Sequence, residues 1–455
     1  MRKARSNNRF APIAAIAAAA ITALAMWPAL AARITPAAGA TPAPLVRDYL
    51  TRDRLIGFFE RQVRAAPRDQ IQMRMLAQQY MQRYRERFDT GDLVRARYYA
   101  ERSVRLQPQG NTPARMALAS VDLSYHDFAR ALRNEEDAFR GEPDNVAARA
   151  QIGSLQMELG RYRSAAATLA GIRSPRENPQ VDAVRARLEE LTGHLRSARA
   201  RIDAAARTAD GDIGDSAYDR SWYHLRAGQL AFEAGDYAAA SRQYRLSLSD
   251  FPDNALALMW QARLFRAQGR WQETLEAARR SAALYPLPQT LGYEADAQRA
   301  LGDLAAARAT DALIDAEQRL YNTNGINDRL LALYYASRGT HLEAALQAAR
   351  RDMQKRGNEI YADDTLAWVL AKLGRWREAY GYSKLAMRTG VEDPEVRFHA
   401  GTIAMHAGHV AAGRALVAAA LRLNPQFDPF EAPQARAELA AQKNRTAAMP
   451  SDLHD

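Results

Sequence analysis

The sequence predicts an all-α fold, a right-handed superhelical solenoid of antiparallel helix pairs. Three observations predict it. Glycine recurs at Gly160, Gly193, Gly235, Gly269, Gly302, Gly339, Gly374 and Gly408, at intervals of 33, 42, 34, 33, 37, 35 and 34 residues. Small residues hold fixed offsets on either side of that glycine. Proline closes successive units at Pro108, Pro143, Pro252, Pro286 and Pro425. A fixed period of this length implies a unit that cannot bury its own apolar face and needs a like neighbour to cover it.

Each column has a physical reason. Glycine takes the left-handed conformation that ends a first helix. Asp92, Asp236 and Asp303 directly follow a glycine and are expected to cap the second helix. Two residues after the glycine, Tyr162, Leu195, Tyr237, Trp271, Leu304, Trp376 and Val410 begin that helix with an apolar plug. Seven residues before the glycine stand Gly153, Ala186, Gly228, Ala262, Ala295, Ala332, Ala367 and Gly401. Five after it stand Ala165, Ala198, Ala240, Thr274, Ala307, Ala344, Ala379 and Gly413. Larger side chains there would hold two crossing helices apart. Upstream, His126 and Gly91 continue the glycine column, while insertions at 208–219 and 321–327 account for the two long intervals. Proline then ends each unit, because it cannot continue a helix.

With these columns the chain resembles the tetratricopeptide-repeat family. In "WYHLRAGQLAFEAGDYAAASRQYRLSLSDFP" the matching positions are Ala227, Gly228, Ala231, Ala240, Tyr244, Ser247 and Pro252, with His224 departing from the apolar preference. Leu366, Ala367, Leu370, Trp376, Ala379 and Ala386 match in a later unit. In the last unit Ala400, Gly401, Ala404, Val417, Ala420 and Pro425 match. The resemblance covers residues 68–425, about nine to ten units, and is weaker at 175–220 and 286–330. It implies a protein-interaction scaffold and not a catalyst. The family's carboxylate-gripping Lys and Asn positions correspond here to Leu225 with Gln229 and Met259 with Arg263, so that binding mode does not carry over.

The ends read differently. Residues 1–31 run from a basic start (Arg2, Lys3, Arg5, Arg9) through an apolar stretch to "PALAAR", the order of a secretory signal peptide. The competing reading is an uncleaved anchor in the inner membrane. Residues 10–32 carry no charge and are long enough to cross, although alanine drives insertion weakly. Both readings place the body outside the cytoplasm, periplasmic or secreted. Residues 32–44 form a Pro-, Ala- and Thr-rich spacer, 45–67 an amphipathic N-terminal capping helix, and 426–455 a C-terminal capping helix with a frayed tail.

Composition excludes some chemistry. None of the 455 residues is cysteine, which removes disulfides, thiol nucleophiles and thiolate metal sites. The net charge of +11 falls to about +7 without the basic leader, a mild excess that favours acidic partners without requiring nucleic acid. No phosphate-cradling loop, His-Glu-x-x-His pair or nucleophile elbow occurs, so no enzyme, cofactor or metal is expected. His399, His406 and His409 share a helical region but lack neighbouring carboxylates at ligand spacing. In "RYRERF" (83–88), Leu76, Tyr80, Tyr84 and Phe88 form one apolar stripe, while Arg83, Arg85 and Arg87 fan over the solvated surface. Asp363 and Asp364 read as loop or capping residues.

The first helices of such a solenoid line its concave face. The positions left over by the packing columns are Arg226, Gln229, Phe232, Met259, Trp260, Arg263 and Arg266. These are the expected groove residues, with arginine for carboxylates and aromatic surface for contact. The expected partners are proteins or peptides outside the cytoplasm, as in envelope assembly. The alternative is polyanion or nucleic-acid binding through the arginine-rich surface, with strong salt dependence. Membrane contact is expected only through an uncleaved N-terminal segment.

Overall fold

The computed structural model describes residues 47–173, 178–212, 215–321 and 326–447. The leader and the spacer lie outside the described residues. The chain forms a TPR-like α-α superhelix: among the described residues there are 22 α-helices, one short 3-10 helix and no strand. After the 3-10 helix Asp48–Thr51 comes α1 (Arg52–Ala65). Ten antiparallel hairpins follow. The first four are α2 (Gln70–Arg87) with α3 (Thr90–Leu106), α4 (Thr112–Ser124) with α5 (Phe128–Gly141), α6 (Val146–Glu158) with α7 (Tyr162–Ala170), and α8 (Pro179–Leu191) with α9 (Leu195–Asp210). The next three are α10 (Ala217–Glu233) with α11 (Tyr237–Asp250), α12 (Ala255–Ala267) with α13 (Trp271–Leu284), and α14 (Pro288–Ala300) with α15 (Leu304–Tyr321). The last three are α16 (Asp328–Arg338) with α17 (Leu342–Arg356), α18 (Ile360–Lys372) with α19 (Trp376–Ala386), and α20 (Pro394–His406) with α21 (Val410–Leu423). A lone helix, α22 (Glu431–Ala447), ends the array. No helix of the described residues is long and apolar enough to cross a membrane.

The small columns are where paired helices cross. A Cβ on Gly228 would stand 2.4 Å from the Tyr244 ring, and one on Gly413 would stand 2.5 Å from the Gly401 carbonyl oxygen. Ala165, Ala198, Ala240, Ala262, Ala295, Ala332, Ala367 and Ala379 are all fully buried. Two column assignments shift. In the eighth hairpin the turn runs one residue longer, with Gly339 and His341 both left-handed, so Ala345 and not Ala344 fills the crossing. In the first hairpin the left-handed turn residue is Phe88 and not Gly91. The cap there is Asp89, whose carboxylate accepts from Gly91 N–H. Asp92 is buried and pairs with Arg83 at 2.7 Å. Asp236 and Asp303 do cap their helices, accepting from the N–H groups of Ala239 and Ala306.

The superhelix is tight enough for successive turns of it to touch, along a regular seam. The turn of each early hairpin meets the connection that follows the hairpin five units later. Phe88, at the first turn, stacks on Tyr285 after the sixth hairpin, with ring centroids 4.3 Å apart. At the third turn, Ile360 N–H donates to the Tyr162 hydroxyl at 3.0 Å. At the fourth, Leu195 N–H donates to Glu392 at 3.0 Å. At the fifth, the Asn424 side chain donates to the Phe232 carbonyl at 2.6 Å. The 3-10 helix obeys the same rule for a hairpin numbered zero, with Tyr49 edge-on to Phe251, the residue that follows the fifth hairpin, at 5.0 Å. Beside the second turn, the Arg356 guanidinium at the end of α17 lies over the Phe128 ring at 4.4 Å.

This seam gives the glycine column two different roles. A Cβ at Gly160 would stand 2.2 Å from the Asn358 carbonyl oxygen, and one at Gly193 would stand 2.3 Å from the Gly390 carbonyl oxygen. At Gly269, Gly302, Gly339, Gly374 and Gly408 a Cβ would meet nothing within 4 Å. Both sets have positive φ and share the left-handed cost of a side chain, about 1–2 kcal/mol. Gly374→Ala should therefore cost about 1 kcal/mol, whereas Gly160→Ala adds a backbone collision of about 1–3 kcal/mol more. Chemical denaturation of the two variants side by side measures this, and equal losses would mean the seam does not exist.

Candidate interaction surface

The closed seam turns the concave face into an interior. The first helices are buried on nearly all sides: in α18 Ile360 and every residue from Ala362 to Ala371 are buried. The second helices bury one face, as α11 does with Ala240, Tyr244, Ser247 and Asp250. The expected groove residues therefore lie inside. Phe232 is fully buried, Met259 and Gln229 are buried, and Trp260 is partly buried and edge-on to Phe232 at 6.2 Å. The arginines face carboxylates of the chain itself. Arg226 pairs with Glu190 at 2.5 Å. Arg263 lies over the Trp260 ring at 4.6 Å and pairs with Glu395 at 2.6 Å. Arg266 bonds Asp296 at 2.8 Å and also pairs with Asp428.

These partners were not legible locally. Glu395 is 132 residues from Arg263, and Asp428 is 162 from Arg266. One signal existed. Asp393-Pro394 and Asp428-Pro429 repeat the same Asp-Pro start, and both aspartates cap a helix or its first turn through their carboxylates. The interior holds more acid than base. Burial pushes the Glu395 carboxyl up to about 7 against the pull of Arg263, with Asp393, Glu431 and Asp428 adding to the push. Burial, helped by Glu190 and Asp393, raises the Glu233 carboxyl well above the usual range.

Several other readings change. Arg85 is buried and not part of a solvated face, and burial pulls its guanidinium down to about 10. Asp363 and Asp364 are interior residues of α18: Asp363 bonds Arg388 at 2.8 Å and Asp364 bonds His399 at 3.0 Å. The three histidines do not converge. His399 stacks on Trp368 at 4.1 Å, His406 on Trp376 at 4.1 Å, and His409 on Tyr380 at 4.3 Å. Burial opposes the His399 charge, yet Asp364 and Glu431 hold its imidazolium well above the usual histidine range.

One His-carboxylate group at ligand spacing was not anticipated. The ligand atoms of Asp210, His224 and Asp250 lie within 4.8 Å of one another. His224 Nδ1 contacts Gln243 Oε1 at 2.7 Å and its Nε2 contacts Asp210 at 3.0 Å. Burial works against its charge, but the hydrogen bonds to Asp210 and Gln243 outweigh it and raise its pKa, which favours the charged form. The trio is an ion-paired clasp joining α9, α10 and α11. His224 replaces an apolar repeat residue to make it.

The interior opens at the C-terminal end, where the later turns have no counterpart among the described residues. A cavity of ≈ 540 Å³ lies there between α14, α15, α16, α18 and the start of α22. Arg338 covers the Tyr334 ring at 4.2 Å, and the Lys372 ammonium sits 4.3 Å from the Trp368 ring centroid. Phe430, at the rim, is 56% exposed. Arg266, one of the expected groove residues, also lines this cavity, and Asp296, Asp311, Asp315, Asp428 and Glu431 stand there beside the cations and aromatic rings.

The tetratricopeptide repeat family model matches residues 122–188, and the same hairpin columns run on both sides of that segment. No curated protein matches the chain. Among solved structures it is similar to the crystal structure of yeast Tom70, at 12% identity over 84% of this chain and 97% of that one, with a TM-score of 0.35. It is also similar to Naa15/Naa10 bound to HypK-THB, at 14% identity over 89% and 66% of the two chains, with a TM-score of 0.28. The APC/C hetero-tetramer Cut9–Hcn1 is similar at 12% identity, over 86% and 94%, with a TM-score of 0.33.

The interior carboxyls give a pH dependence with a definite sign. An unfolded glutamate titrates near about 4.3, and Glu395 in the folded chain titrates at about 7. Between those values the folded state keeps a proton that the unfolded state has lost, so this contribution fades as pH rises towards about 7. Glu395→Gln should reduce the stability lost between pH 5 and pH 8 by on the order of 1–2 kcal/mol. Denaturation midpoints of both proteins across that range measure it; an unchanged slope would place the proton elsewhere.

Proposed function

We propose that this chain is a non-catalytic scaffold that holds protein or peptide partners outside the cytoplasm, in envelope assembly, at the C-terminal mouth of its superhelix. The carrying observation is the mouth itself. Arg338 there pairs with Asp296, as the arginines further in pair with their own carboxylates, but a cavity opens beside Tyr334, Lys372 and the exposed Phe430. A segment with an acidic group for Lys372 and an apolar side chain against Phe430 fits that chemistry. The basic, apolar and small-residue order of residues 1–31 supports the extracytoplasmic part of the reading.

Two substitutions separate the mouth from the interior. Lys372→Glu should lower capture of envelope proteins at least about tenfold, equivalent to about 1.4 kcal/mol, with the thermal midpoint unchanged. Arg263→Glu should instead destabilise the fold by about 3–5 kcal/mol, because it leaves Glu395 facing a second carboxylate. Quantitative capture and thermal unfolding of both variants decide it. Capture insensitive to Lys372→Glu would remove the mouth as the binding surface, and a fusion reporter showing a cytoplasmic body would remove the compartment.

A further inference from the structure

Among the described residues, each end of the array is half of a hairpin. Eight residues after the turn, several second helices carry a side chain that bonds to the first helix of their own pair, while Ala96, Ala277 and Leu416 hold that position in others. Asn134 bonds Asp122 at 2.7 Å, Thr168 bonds Gln156 at 2.8 Å, and Thr310 bonds Gln298 at 2.9 Å. In α1 the residue at that position is Phe58. No first helix precedes α1 among the described residues; the 3-10 helix stands where the turn belongs, and Phe58 is left 44% exposed. At the other end α22 packs on the tenth hairpin as a first helix does, with Ala432 and Ala435 buried and Ala437 and Ala440 exposed on its far side.

The seam is likewise half satisfied. The apolar plugs of the closed turns are covered, with Tyr162 at 8% and Leu195 at 3% exposure. In the open turns two residues of that column are exposed, Leu304 at 55% and Val410 at 37%, while Trp271 and Trp376 are half-buried. From these matching deficits we propose that a second copy of this chain docks head to tail, its α1 pairing with α22 to complete an eleventh hairpin.

The register closes without a gap. If α22 and the incoming α1 form hairpin eleven, the five-unit offset brings the connection after that α1, residues 66–69, onto the turn at Gly269. The connections at 107–111 and 142–145 then fall on the turns at Gly302 and Gly339. The eleventh turn is the incoming copy's own 3-10 helix, which already meets the residue after its own fifth hairpin through Tyr49 and Phe251. The contact continues an interface the chain already makes with itself, and it covers Phe58 and Leu304 together. It is heterologous, so it propagates as an open chain of copies and not as a closed dimer. The incoming copy borders the mouth at Thr340, His341 and Gln434 and would compete with a peptide there, but failure of peptide capture leaves the docking of copies intact.

The test uses the purified full-length chain and two variants at exposed positions, Phe58→Glu on the leading face and Leu304→Arg on the trailing face. Light scattering after size exclusion should give a wild-type mass that rises with concentration beyond two chains. Each variant alone should stay at the mass of one chain, with unchanged circular dichroism. An equimolar mixture should reach the mass of two chains and stop, because one intact face of each kind remains. A wild type of one-chain mass at every concentration would overturn the proposal. So would assembly that neither variant alters, or a mixture that forms no dimer.

Discussion

The contact on which the rest of this structure depends is the meeting of each early hairpin turn with the connection five hairpins later. A helical-repeat array held only by nearest neighbours is a spring, with an open groove and independent stacking energies. Here successive superhelical turns lie in contact, through backbone approaches that only glycine tolerates and hydrogen bonds such as Ile360 to Tyr162. The closure ties residues nearly 200 positions apart and removes most of the concave surface from solvent.

Closing the groove sets its chemistry. Polar side chains that would be hydrated on an open concave face must find partners inside, since a buried unpaired charge is costly. Arg226, Arg263 and Arg266 find Glu190, Glu395 and Asp428. The excess of carboxyls is met by raised pKa values at Glu233 and Glu395. The cavity that remains lies at the mouth, beside Tyr334, Lys372 and Phe430. The Asp210–His224–Asp250 clasp and the His399 sandwich between Asp364 and Glu431 belong to the same pattern of polar groups used to fix neighbouring helices.

Much of the architecture was legible one unit at a time. The crossing columns, the apolar plugs and the closing prolines are local requirements of a helix pair, and a helix pair is what each 34-residue segment encodes. The readings that shifted did so through local detail: Phe88 occupies a left-handed position that the sequence suggested for a glycine, and the Gly339–His341 turn adds a residue that moves the small column to Ala345. Asp363 and Asp364 read as loop or capping residues because their partners Arg388 and His399 lie beyond their own helix, and Arg85 reads as solvated because its burial depends on elements far along the chain.

The sequence by itself determined the hairpins, their period and the close crossings, because those depend on neighbours within one repeat. Tertiary structure alone decided that the superhelix closes on itself after five units, because curvature accumulates from small rotations between repeats that no single repeat reveals. That accumulated rotation is what sends Arg263 to a glutamate 132 residues away.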